Sequence, residues 1–112
     1  MPESLSINAA TPLFRVDKFA VPAGAMPAFM AQVNRINELV STLPGCMQNL
    51  VLTDAGQGSD FNVVTLAEWA SDDAFTTARA FVQQRHAAEG FDPAAYMQQL
   101  GIRADMGLFR PA

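Results

Sequence analysis

One stretch of this chain leaves few folds open: residues 61–75, FNVVTLAEWASDDAF. Residues 61–69 are strand formers with almost no polar interruption. Ser71, Asp72 and Asp73 then read as a helix N-terminus, and Ala74 and Phe75 open its apolar side. Along the strand, Phe61, Val63, Thr65, Ala67 and Trp69 share one face. Val64 and Leu66 share the other, between Asn62 and Glu68. Neither face is polar throughout, so both need cover. A helix layer covers one. In a chain of 112 residues, the simplest cover for the other is a second copy of the chain.

Half of the residues are apolar, enough for one core in one domain. The formal net charge is -4, and the seven basic residues are scattered with no run. That argues against a nucleic-acid phosphate footprint and against a membrane-surface helix. No apolar run approaches the ~18 residues of a transmembrane span. Residues 1–12 (MPESLSINAATP) lack the basic start and long apolar core of a secretory signal. They are expected to form an N-terminal arm ahead of a single domain over 13–112. Cys46 is the one cysteine, which excludes an internal disulfide and fits a reducing cytoplasm. His86 is the one histidine, so a zinc site of several His and Cys ligands is excluded within one chain. The acids are dispersed and no calcium-loop motif occurs, so no metal site is expected.

The rest of the chain supplies the partners of that strand. Residues 13–21 (LFRVDKFAV) read as a first strand ending at Pro22. Arg15, Asp17 and Lys18 make it more amphipathic than the later one. Residues 25–43 read as a helix with Met26, Phe29, Met30, Val33, Ile36, Asn37, Val40 and Leu43 on one side. Pro27 sits in its first turn, and Pro44-Gly45 stops it. Residues 46–53 read as a second strand, joined by the glycine-containing loop 54–60 to the strand 61–69. A second long helix is expected from 72 to about 88, with Phe75, Ala78, Phe81, Val82 and Arg85 as its stripe. Asp92-Pro93 caps a short helix that runs to Leu100, and 103–109 read as a last strand. The order β-α-β-β-α-β, with a short extra helix before the last strand, is the split βαβ or ferredoxin-like pattern of an α+β fold.

Few residues carry chemistry. Trp69, at a strand end, is either a core aromatic or a pocket wall against a flat ligand. Thr65 lies on the same face, about 13 Å away, as one hydroxyl in an apolar wall. His86 suits a solvated helix C-terminus, a general base or an axial haem ligand. Cys46 has no positive neighbour in sequence to make it reactive. Asn37, Asn49 and Asn62 are weak candidates for donors to a ligand oxygen. Glu68 faces away from Trp69 and reads as structural, near an edge or paired with a cation such as Arg15 or Arg103.

The strand 61–69 (FNVVTLAEW), the VPAG after the first strand, the LPG at the helix end and the SDDAF helix start together resemble the antibiotic biosynthesis monooxygenase family, over roughly 13–109. The resemblance implies a homodimer closing a dimeric α+β barrel, with a pocket in each subunit between sheet and helices. It implies a cofactor-independent monooxygenase, with neither metal nor flavin, oxidising an anthrone- or quinol-like aromatic with O₂. Trp69 matches the family's strand-end tryptophan. The chain departs from polyketide-oxidising relatives at Thr65, where an Asn is usual. Phe75 replaces a Tyr of some members, and Leu52 falls near a His of others. Haem-degrading relatives carry a His where this chain has Arg79, which disfavours that reaction. The expected site is therefore Trp69, Thr65 and His86 for catalysis, with Phe29, Met30, Phe75, Arg79 and Met97 against the substrate. A non-catalytic dimer that binds a small apolar ligand and an O₂-independent isomerase are the alternatives on the same scaffold.

Overall fold

The computed structural model describes residues 11–112. The expected arm is thus almost wholly outside the described residues. Strand β1 spans Leu13–Ala20 and is followed by a 3₁₀ turn at Ala23–Ala25. Helix α1 is Met26–Ser41, with Pro27 in its first turn. Strands β2 (Cys46–Thr53) and β3 (Val63–Trp69) form a hairpin. Helices α2 (Asp72–Ala88) and α3 (Pro93–Leu100) follow, and β4 (Arg103–Phe109) completes the chain. The sheet order is β2-β3-β1-β4, every neighbour antiparallel. This is the ferredoxin-like order expected from the sequence.

Local signals act where the residues place them. The Ser71 hydroxyl accepts from the Ala74 N–H at 3.1 Å, and the Asp92 carboxylate accepts from that of Ala95 at 3.2 Å. Each satisfies a donor that a helix start leaves unpaired. Strand β3 begins two residues later than expected, and Asn62 is the reason. Its side chain accepts from Val21 N and donates to Val21 O, both at 2.9 Å. A side chain has taken over the pairing that a backbone rung would make. Phe61 therefore leaves the helix-side face. Its ring lies under Lys18 Nζ at 5.3 Å and Arg103 at 5.7 Å.

The core is divided. At one end of β1, Phe19 packs with Val21, Ala25, Phe29, Val63 and Ile102. Phe19 and Phe29 meet edge to face at 5.0 Å. At the other end, Leu13 packs with Trp69, Phe75 and Ala78. Each such large side chain contributes about 1.5–3 kcal/mol by leaving water. Leu13 pairs with Trp69 and Phe19 with Val63 in the β1–β3 register. Between these ends the same sheet face carries Arg15, Asp17, Thr65 and Ala67, and there a cavity opens.

The opposite sheet face has no cover among the described residues. Leu50 is 43% exposed, Leu52 47% and Phe109 57%, so this face presents large apolar side chains to solvent.

Candidate functional site

The cavity holds about 330 Å³ and lies between the sheet and the two long helices. That is the lower end of the range for small-molecule sites, about 300–1,000 Å³. Helix α1 faces it with Phe29, Gln32, Val33, Ile36, Asn37 and Val40. Helix α2 faces it with Phe75, Ala78, Arg79, Val82, Gln83 and His86, a run at spacings of three and four. The α2 stripe is thus turned from the one expected. Phe81 is 41% exposed and carries the Arg85 guanidinium over its ring at 5.8 Å. Three tilted rings in series form part of the cavity lining: His86 against Phe91 at 5.0 Å, and Phe91 against Tyr96 at 5.2 Å. Tyr96 hooks onto α1 by donating its hydroxyl to Ala28 O at 3.3 Å.

Seven of the eight expected site residues line this space: Thr65, Trp69, His86, Phe29, Phe75, Arg79 and Met97. Met30 does not. It packs on the Phe19–Phe29 core instead, one helix position from the cavity stripe. Trp69 is 4% exposed and meets Phe75 at 6.4 Å with the rings 65° apart. Little of the indole is accessible. The Thr65 hydroxyl has no hydrogen-bond partner among the described residues. The His86 Nδ1 is buried and unpartnered among them.

The polar groups weighed from sequence divide into working and structural ones. Asn49 donates to Asn37 O at 2.8 Å, fastening β2 to α1. Asn62 is spent on Val21. Glu68 accepts from Gln48 Nε2 at 2.9 Å on the outer face and pairs with neither Arg15 nor Arg103. Burial pushes the Cys46 thiol up, which keeps it protonated and inert at neutral pH.

Among the cavity residues that the sequence reading missed are the charged pair Arg15 and Asp17. Arg15 Nε donates to Asp17 Oδ1 at 2.6 Å, and Arg15 Nη2 reaches Met106 Sδ at 3.3 Å. Their side chains are 30% and 16% exposed. Burial pushes the Asp17 carboxyl above the ordinary carboxylate value, while the hydrogen bond and charge of Arg15 pull the other way. A period of two was the available signal, since Leu13, Arg15, Asp17 and Phe19 share one strand face. Among the described residues, no group of three His, Cys, Asp or Glu is arranged to hold a metal ion.

A four-stranded antiparallel sheet, three helices and a largely apolar cavity between them define a small α+β domain. The family model for antibiotic biosynthesis monooxygenases matches residues 12–90, and the chain belongs to that family. Its structure is similar to that of SnoaB, a cofactor-independent oxygenase from Streptomyces nogalater. They share 27% identity over 92% of this chain and 95% of that one, with a TM-score of 0.66. A heme-degrading protein from Mycobacterium tuberculosis is 25% identical over 61% of this chain and 77% of that one, with a TM-score of 0.54. A conserved protein from Methanosarcina mazei Go1 shares the fold at 15% identity, covering 96% of this chain and 99% of that one, with a TM-score of 0.71. A search of curated protein sequences gives no match. Family and neighbours support a monooxygenase-type role. No helix among the described residues is long and apolar enough to cross a membrane.

Proposed function

We propose that the protein is a cytoplasmic, homodimeric, cofactor-independent monooxygenase that oxidises a hydroxylated polycyclic aromatic, such as an anthrone, or a quinol-like ring with O₂. The observation that carries this reading is the cavity: about 330 Å³, walled by apolar side chains, with a few polar groups set in its floor. Apolar walls with few orienting polar groups suit a flat, sparingly oxygenated ring system. Similarity to a cofactor-independent oxygenase at 27% identity supports the same chemistry.

In an anthrone, a ring CH₂ becomes C=O. O₂ supplies that oxygen, and its second atom leaves as water with the two hydrogens the carbon gives up. Loss of a substrate proton makes the ring electron-rich enough to react with O₂ directly. The protein's tasks are then to bind the ring, favour its anion and exclude bulk water. Phe29, Phe75 and Met97 form walls. Trp69 borders the ring, and Thr65 bonds a substrate oxygen. Arg79 adds positive charge for the anion, and His86 offers its free ring nitrogen to a proton in transit. The partner copy covers the apolar outer face of the sheet.

The test is O₂ uptake with quinone formation over a panel of anthrones and hydroquinones. The unmodified protein should consume O₂. Trp69→Phe should lower kcat by about tenfold or more while the fold persists, because displacing a ring by ~1 Å is costly. Unchanged kinetics would remove Trp69 from the site. Ligand binding with no O₂ uptake would instead mark a binding protein, and product without O₂ an isomerase.

A further inference from the structure

An ion pair in the floor of an apolar cavity is expensive to keep, because both charges lose water. Here it is also incompletely used. Asp17 Oδ1 accepts a hydrogen bond from Arg15 Nε, but Asp17 Oδ2 and Arg15 Nη1 have no hydrogen-bond partner among the described residues. An arginine and a carboxylate can close as a two-pronged fork, as Arg110 and Asp72 do on the surface with both contacts at 2.9 Å. The Arg15–Asp17 pair leaves one prong of each partner open.

The surroundings give those open prongs a direction. Asp17 pairs across the sheet with Thr65 on one side and Met106 on the other. All three belong to the cavity lining. Directly paired residues stand about 4.5–5.5 Å apart at their Cβ atoms. Asp17 and Thr65 are therefore cross-strand neighbours on the cavity floor. The other charged or titratable groups facing the cavity are Arg15 on β1, Arg79 and His86 on α2, and Tyr96 on α3. Helix α1, β3 and β4 contribute none.

We infer that Asp17 is the catalytic base for a hydroxylated aromatic substrate and that Arg15 holds it for that task. This assignment rests on the oxygenase reading above. In the step, the bond between a substrate hydroxyl oxygen and its hydrogen breaks and the proton forms a bond to Asp17 Oδ2. The electron pair remains on the substrate oxygen and spreads into the ring. Arg15 Nη1 and the Thr65 hydroxyl face the anion that results. The substrate class narrows accordingly: a ring carrying a free hydroxyl, or a ketone that enolises to one. A ring whose oxygens are all etherified has no proton to give Asp17. The raised protonation point of Asp17 agrees with this role, since it brings a carboxylate closer to the pH at which it must act.

Two readouts separate this inference from the oxygenase reading itself. The first needs no turnover. A dihydroxyanthraquinone and its dimethyl ether are titrated into the protein at neutral pH. The unmodified protein should prefer the hydroxylated probe by about tenfold, and Asp17→Asn should cut that preference to under about threefold, because a charge-assisted hydrogen bond outweighs a neutral one. Equal preference in both proteins would overturn the assignment even if the enzyme consumes O₂. The second readout is the pH profile of kcat on an anthrone. Asp17→Asn should lower kcat by about 100-fold or more and abolish the acid limb. An acid limb that survives with kcat little changed would transfer the role to His86. Asp17→Glu keeps the charge beside Arg15 and guards against a variant that fails to fold. It should retain the hydroxyl preference yet lose about tenfold or more in kcat, because its carboxylate is displaced by one methylene. A Glu variant with unaltered kcat would contradict a placed base. Absent O₂ uptake in the unmodified protein would sink the oxygenase reading alone, with the probe preference still deciding whether Asp17 meets the hydroxyl.

Discussion

Gly45 shows how one residue joins the two halves of the chain. Its φ of +86° lies in the left-handed region, and its carbonyl accepts from Ala70 N at 2.8 Å. A Cβ built there would stand 2.4 Å from the Ala74 Cβ in the first turn of α2. Gly45→Ala therefore combines an unfavourable backbone with a steric overlap. We expect a loss of about 2–4 kcal/mol, read as a fall in Tm of about 4 °C or more per kcal/mol. A Tm within a degree or so of the parent would mean that α2 shifts freely. The LPG sequence made this helix stop legible, but the contact with Ala74 depends on two segments meeting in space. At the cavity, Trp69 was legible because a lone indole at a strand end has few uses. Arg15 and Asp17 were passed over because charge on a first strand reads as solvent exposure. Their shared face with Leu13 and Phe19 was the overlooked sign. If Asp17 must be ionised to act, activity falls as pH drops through its protonation point. Burial raises that protonation point, so the loss sets in at a higher pH than it would for an ordinary carboxylate.

The elements were the easiest level to read, since each carries its own start and stop. The strands Cys46–Thr53 and Arg103–Phe109 and the helices Asp72–Ala88 and Pro93–Leu100 fall where caps, proline and glycine put them. The errors have physical causes. Phe81 was assigned to the buried stripe on hydrophobicity alone, whereas the cavity admits polar Arg79, Gln83 and His86 on the inward side of α2. A helix that faces a ligand site need not be apolar along its inner stripe. The late start of β3 came from Asn62, whose side-chain bonds to Val21 cannot be seen in a local pattern. Asn62→Ala would remove both bonds and leave part of the Val21 backbone unpaired. We expect about 1–3 kcal/mol of destabilisation by denaturant titration, with activity retained in the folded fraction. No measurable change would show that backbone pairing extends to replace the lost bonds.

At the scale of the molecule, the sheet has one face under helices and another without cover. That outer face was anticipated from the two-sided apolar character of residues 61–69. A homodimer is our proposal for what covers it. Leu52 lies on it, paired with Val64 across the strands and 47% exposed in the single chain. Leu52→Glu should convert the dimer to a folded monomer in sedimentation, since the charge meets water in one state and an apolar partner in the other. A parent protein that sediments as a monomer, or a variant that stays dimeric, would remove this face as the interface. Substrate identity was the least legible property, because it depends on which side chains from seven elements converge on one cavity of about 330 Å³. The central claim is that this cavity lets an aromatic ring react with O₂, and its most direct test is an isotope measurement. The purified protein is given an anthrone under labelled dioxygen, and the quinone and the water are analysed. Our account predicts one labelled atom in the new carbonyl of the quinone and the other in water. A quinone without label, or no quinone from any substrate in the panel, would contradict it.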